Sequence, residues 1–250
     1  FGGVEMRVFA VREKGCATAI LPLAIQEKSG IKVMTGLSEP FQQYTDMLAR
    51  PDIDVKAAFA AMLPAIRAAG PDCLHLGQVR QGSDLHRAID GIAPASGEAD
   101  GAPFVPIGDW ESFEAYHKSV NAKTRKNMRN ARNRLERDAP VRHHVARGGE
   151  VLAQVIDRSF DGREAWLGRQ GLTSRAFRDS GFGAFLGRFK QPQESGIDTI
   201  SFALMHGDKP VADQWGFVHK GRYYAFMVGW DEAYEEDSPG KMHLGEILEA

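Results

Sequence analysis

Three consecutive runs decide the reading of this chain: Ile197-Asp-Thr-Ile-Ser-Phe-Ala-Leu-Met-His206, Pro210-Val-Ala-Asp-Gln-Trp-Gly-Phe-Val-His219 and Arg222-Tyr-Tyr-Ala-Phe-Met-Val-Gly-Trp230. All three are rich in β-branched and aromatic residues, and only the tight turns at Gly207-Asp208 and Lys220-Gly221 separate them. Short apolar runs joined this way read as an antiparallel meander. The meander leads through the acidic loop Asp231–Asp237 into Ser238-Pro239-Gly240-Lys241-Met242, and Leu244, Ile247 and Leu248 then follow helical spacing. A helix begun by Pro leaves several backbone N–H groups without intrahelical partners. Such a start attracts anions, and Lys241 adds a positive charge beside it. The same residues also suit an ordinary helix start, with Ser238 as N-cap and Pro239 as first helical residue.

Outward from that stretch, residues 4–11 and 16–25 read as a hairpin turned at 12–15, with a further strand near 31–35 and a loop over 37–46. Asp54 caps a helix through about Ala69, with Phe59, Met62, Leu63 and Ile66 on one face and Pro64 as a possible kink. A strand over 72–79 and a short helix from Ser83 to Ile89 follow. Gly, Ala, Pro and Ser dominate 90–103, the clearest linker signal in the chain. Beyond it the pattern predicts a strand at Phe104–Ile107, a helix opened by Asp109, a basic helix over 120–138, a strand at 141–146, and helices over 149–160 and 174–190. The reading is an α/β protein of mixed, largely antiparallel sheets with flanking helices, divided into 1–100 and 101–250. Because the chain opens at Phe1 and stops within helical spacing, both halves are expected to be incomplete.

Composition narrows the function classes. The chain has 250 residues, 43% hydrophobic, 26% charged and 9% aromatic, so it has the makings of a packed core and is not globally disordered. No apolar run approaches the ~20 residues of a spanning helix. With 31 basic against 33 acidic residues, a polyanion contact has to come from a local cluster. Cys16 and Cys73 sit in apolar strand-like stretches and are expected to pack as small hydrophobes in a reducing, cytoplasmic setting. Metal chemistry finds no ligand pattern: His143 and His144 are adjacent in a strand and point to opposite faces. Gly168 stands where a calcium loop opened by Asp157 needs its bidentate Glu.

The order of three-stranded meander, Ser-Pro-Gly loop and helix resembles the core of GNAT-fold acyltransferases. The Gly207–Ala212 turn, Tyr223-Tyr224 and Ser238-Pro-Gly240 resemble the CelD-like branch in particular, associated with cellulose or exopolysaccharide biosynthesis. That branch carries a basic helix like Arg125–Arg137 and an upstream segment like Tyr44-Thr-Asp46. The usual GNAT phosphate loop, Gln/Arg-x-x-Gly-x-Gly/Ala, is replaced here by Ser238-Pro-Gly240. The resemblance implies two GNAT-like halves and acetyl-CoA, or another acyl-CoA, as co-substrate. It places the pyrophosphate at Ser238 and at the amides of Gly240, Lys241 and Met242, and the thioester carbonyl at strand amides near Val228 and Gly229.

Two further features carry chemistry. Lys118, Lys123, Arg125, Lys126, Arg129, Arg132, Arg134 and Arg137 form a broad cationic face, eight charges against the two of Glu136 and Asp138. Arg125, Lys126, Arg129 and Arg132 are its candidate polyanion contacts; the other reading is a solvated face neutralised by the acidic loop. Acylating an amine also requires removing a proton, and Asp213, beside Trp215 in mid-strand, is the candidate base, unless it is an edge-strand Asp facing water. Tyr224, Tyr234 and Ser238 could each act as acid toward the departing thiolate, and Tyr234 is the candidate catalytic residue among them. The expected function is N-acyl transfer, by direct attack on the thioester, to a small-molecule or saccharide acceptor. The alternatives are a Fem-type aminoacyl-tRNA-dependent transferase, whose architecture also doubles the GNAT fold, and a polyanion-binding module without catalysis.

Overall fold

Alternating residues and tight turns build the first sheet. In the computed structural model, which describes residues 4–92, 94–97, 99–191 and 198–250, β1 (Val4–Glu13) and β2 (Cys16–Lys28) pair antiparallel. Lys14 and Gly15 turn the hairpin with φ of 48° and 84°, the left-handed geometry that the tight turn demands. β3 (Ile31–Gly36) continues antiparallel, β4 (Leu48–Ala49) pairs with β2, and β5 (Cys73–Leu74) lies parallel to β3. Helix α1 (Val55–Ala68) starts where the Asp54 carboxylate accepts the Lys56 and Ala57 N–H groups, and it runs unbroken through Pro64. Its buried face, Ala58, Phe59, Met62 and Ile66, packs with Leu21, Leu23 and Met34 of the sheet. Helix α2 (Asp84–Ile89) is capped by Ser83.

The strand expected over 72–79 shrinks to two residues. Both cysteines are exposed rather than packed: Cys16 stands beside the hairpin turn opposite Glu13, and Cys73 lies in the two-residue β5.

The chain divides into two units, Phe1–Asp100 and Gly101–Ala250. In the second, residues 104–106 form no strand, and Ile107–Asp109 make a 3₁₀ turn. Ser112, not Asp109, caps α3 (Phe113–Ser119). The basic segment is two helices, because Val120 is extended and Asn121 caps α4 (Ala122–Leu135) anew. Next come β6 (Val141–Ala146), α5 (Gly149–Arg169) and α6 (Phe182–Gly187), the last much shorter than the helix expected over 174–190. The meander is β7 (Asp198–His206), β8 (Lys209–His219) and β9 (Arg222–Trp230), followed by an acidic 3₁₀ turn (Glu232–Asp237) and α7 (Pro239–Glu249). Ile197, the first residue of the expected strand, lies outside the described residues.

Strand order is β6-β7-β8-β9, antiparallel throughout. Asp213, Trp215 and Phe217 face α5, which buries Leu152, Val155, Ile156 and Ser159. Ala212 packs on the other face in a cluster with Ala131 and Leu135 of α4 and Met242 of α7. Pairing jumps from Trp215–Met227 to Gly216–Ala225, so Phe226 is the extra residue of a β-bulge in β9. The bulge drives Tyr224 O toward Gly216, where an added Cβ would lie 2.0 Å from that oxygen. Only glycine fits there.

Candidate functional site

The start of α7 is held in an unusual shape. Ser238 adopts left-handed φ and ψ of 49° and 54°, sparsely populated for a non-glycine residue, and its side chain makes no capping bond. The side-chain N-cap expected of Ser238 is therefore not formed. Instead its carbonyl takes the N–H groups of Lys241 at 3.0 Å and Met242 at 3.4 Å, and its own N–H donates to Glu235 O at 3.0 Å. Met242 is buried in the core, so neither its side chain nor its amide faces outward. Pro239 has no N–H to offer. Of the first-turn amides, the Gly240 N–H is left without an acceptor among the described residues, with the Lys241 side chain exposed next to it. A Cβ on Gly240 would lie 3.9 Å from Trp230 Cε3, so the end of β9 adjoins the open amide.

The loop before this helix is tied at several points. Arg134 of α4 donates to the Asp237 carboxylate at 2.8 Å and reaches Glu236 O. Arg169 of α5 pairs with Glu232. His206 bridges Leu135 O (Nε2, 2.9 Å) and the Tyr234 hydroxyl (Nδ1, 3.2 Å). A carbonyl only accepts, so Nε2 carries a proton, and in the neutral ring Nδ1 accepts from Tyr234 O–H. The Tyr234 hydroxyl is thus engaged with His206, which anchors the loop. β9 pairs only with β8 among the described residues, with Val228 and Trp230 exposed on the α7 face. Gly229 points to the α5 face, where its Cβ position is 3.7 Å from Ser159 Cα.

Asp213 lies on that opposite face. It belongs to β8, paired on both sides, so it is no edge residue. Its two oxygens receive Arg158 Nε at 2.8 Å and Nη2 at 2.7 Å, a two-bonded fork. Burial raises its carboxyl above the ordinary value, and Arg158 offsets only part of that rise. Nearby, Trp215, fully buried, donates Nε1–H to Ser159 Oγ at 3.0 Å, and Ser159 donates to Ile156 O at 2.9 Å. The network is closed, and it faces away from the α7 start.

The acetyltransferase (GNAT) domain family matches residues 122–250, just over half of the chain. The chain belongs to the GNAT acetyltransferase family. That match begins at the first residue of α4 and takes in β6 to β9 and α7. No curated protein sequence matches the chain. Among solved structures, a crystal structure of FemX resembles it with a TM-score of 0.59 at 11% identity, over 98% of this chain and 76% of that one. The likeness in fold therefore reaches beyond the GNAT domain into the first unit.

Within the GNAT domain, the cations of α4 divide into two sets. Arg125 is tied down in part: its Nη1 caps α3 by donating to His117 O and Val120 O, both at 3.1 Å, and to Lys118 O. Arg132 is engaged at all three nitrogens: it pairs with Glu136 at 2.9 Å and with Glu246 of α7 and reaches Val141 O. Lys126 and Arg129, with Lys123 and Arg137, are exposed and have no side-chain partner among the described residues. Half of the expected polyanion contacts thus hold the helix in place, and half remain open.

Three residues went unread in the sequence. Arg158 is one exposed-type cation among many on a helix and gave no signal. Gly216 did carry one, since a glycine inside a strand marks a bulge or close approach. His243 also carried one, a polar residue on the buried stripe of α7. No group of three or more His, Cys, Asp or Glu among the described residues is placed to hold a metal ion.

Proposed function

We propose that this chain is an acyl-CoA-dependent acyltransferase whose α7 start holds the cofactor pyrophosphate. The observation that carries the reading is the open Gly240 N–H at the N-terminus of α7 beside the exposed Lys241, in a domain of the acetyltransferase family. A helix N-terminus with a free amide and an ammonium group favours phosphate oxygens, and glycine at 240 leaves them room. The acyl chain then runs along the unpaired side of β9, where backbone N–H groups near Val228 and Gly229 polarise the thioester carbonyl. The acceptor's nucleophile adds to that carbonyl, the tetrahedral intermediate collapses, and the thiolate leaves and is protonated.

Asp213 serves as base only when Arg158 releases it. In the arrangement seen, the acceptor proton passes to solvent. The residues that resemble the CelD-like branch favour a saccharide amine or hydroxyl as acceptor. Calorimetric titration of acetyl-CoA is expected to show micromolar binding that Gly240→Glu abolishes, because a carboxylate then occupies the phosphate position. A folded parent that binds no acyl-CoA contradicts the reading.

A second reading, an aminoacyl-tRNA-dependent transferase, draws support from the likeness to FemX over nearly the whole chain and from the open cations Lys123, Lys126, Arg129 and Arg137. It predicts tRNA binding that weakens steeply with salt, with a shallower slope in Lys126→Ala/Arg129→Ala.

A further inference from the structure

Beneath α7, two imidazoles meet in a setting poor in hydrogen-bond partners. His243, 1% exposed, packs edge-on against His143 of β6 with ring centroids 5.4 Å apart. His143 stacks on Phe202 of β7 at 5.7 Å. Neither ring nitrogen of His243 has a hydrogen-bond partner, nor has His143 Nε2. A neutral imidazole carries one N–H, and protonation adds a second donor and a buried charge; the Phe202 backbone favours that charged form, but less than burial and His143 oppose it.

The surroundings offer little relief. From α4, the Arg132 cation bears on His143 repulsively, as does His144 on the same strand. From α7, Glu249 is the one acid that favours its protonation, and it is exposed. Glu246 is already paired with Arg132. From β8 and β9, the Gln214 amide donates to the Tyr223 hydroxyl.

We propose that the His143–His243 contact is a pH-operated latch: α7 stays seated on β6 and β7 while both rings are neutral, and acidification releases it. Burial, and then His143, push His243 down to about 3, and burial likewise lowers His143. A released ring returns to its ordinary value of about 6.5. Between those two values the released form binds more protons, so the latch holds fully above about pH 6.5 and weakens as pH falls toward 3. Release of α7 also dissolves the anion site at its start. That consequence rests on the proposed function; the latch itself does not.

The test uses the whole chain at pH 7.5 and pH 5. The opening constant of α7, from amide hydrogen exchange corrected for chemical rates, is expected to rise about 30-fold for each ring that stays neutral when seated. His243→Phe, which keeps a ring and removes the titration, is expected to cut that response at least tenfold. Ring ¹⁵N shifts give a second measure that needs no variant. His243 stays neutral at pH 5 in the folded chain if the latch is real, and half-titration near 6.5 overturns it. An α7 response no larger than that of β6 to β9 overturns it as well. Acetyl-CoA titration at pH 7.5 reports on the proposed function separately, so each idea fails on its own measurement.

Discussion

The two faces of the C-terminal sheet handle buried polarity differently: among the described residues, the α5 face leaves one buried hydroxyl, Thr199 Oγ1, without a partner, and the α7 face leaves three ring nitrogens so. Toward α5, Asp213 is forked by Arg158, and Trp215, Ser159 and Ile156 form a chain of donors and acceptors. Toward α7, His243 and His143 leave three ring nitrogens without partners, and the Gly240 amide stays open at the helix start. An unpaired buried polar group costs roughly 1–3 kcal/mol. A face that bears that cost is held less firmly, and its covering element is the one able to move or to gain from a ligand. The α5 face is the better satisfied of the two, and the α7 face is the one on which the proposed site lies.

Substitutions can break this contrast, beginning with the closed face. Trp215→Ala empties the largest fully buried side chain and is expected to cost about 3–5 kcal/mol in urea unfolding. Asp213→Ala strands the Arg158 cation and is expected to cost about 3 kcal/mol, near the low end for a buried pair because Arg158 is 34% exposed. Replacing both partners, as Arg158→Met/Asp213→Leu, should restore most of that stability. If the double variant also keeps acyltransfer activity, Asp213 is a framework residue; if it is stable but inactive, Asp213 is the base after all.

The open face should answer to pH instead. Because His243 is held well below its ordinary value, lowering the pH from 7.5 to 5 is expected to remove about 2 kcal/mol in the parent and little in His243→Phe. The smallest effect belongs to the outer stripe of α4. Lys126→Ala/Arg129→Ala should change stability by no more than ~0.5 kcal/mol while weakening any polyanion contact. A larger loss of stability would mean these cations hold structure, as Arg125 and Arg132 do.

What the sequence disclosed follows from how local each signal is. The meander, the α1 cap at Asp54 and the face assignment of Asp213, Trp215 and Phe217 depend on residues a few positions apart, where period and turn chemistry suffice. The helix boundaries near Val120 and in 174–190 were misplaced, because a break capped by Asn121 looks like continuing basic helix when only charge is counted. Long-range pairing was beyond reach. Arg158 and Asp213 are 55 residues apart, and Arg132 and Glu246 are 114 apart, so nothing local told a structural ion pair from a free base or a free cation. A sequence separation of similar scale hides the meeting of His143 with His243. At the α7 start, composition suggests an anion site, and the left-handed turn at Ser238 decides which amide stays open.

The most direct measurement follows the Gly240 amide in ¹H–¹⁵N spectra as acetyl-CoA is added. If α7 holds the pyrophosphate, that amide moves strongly downfield and saturates with the calorimetric isotherm, and it leads every other glycine in the chain. If acetyl-CoA leaves Gly240 unmoved, or binds while shifting only distant residues, the α7 start is not the cofactor site and the central claim is contradicted.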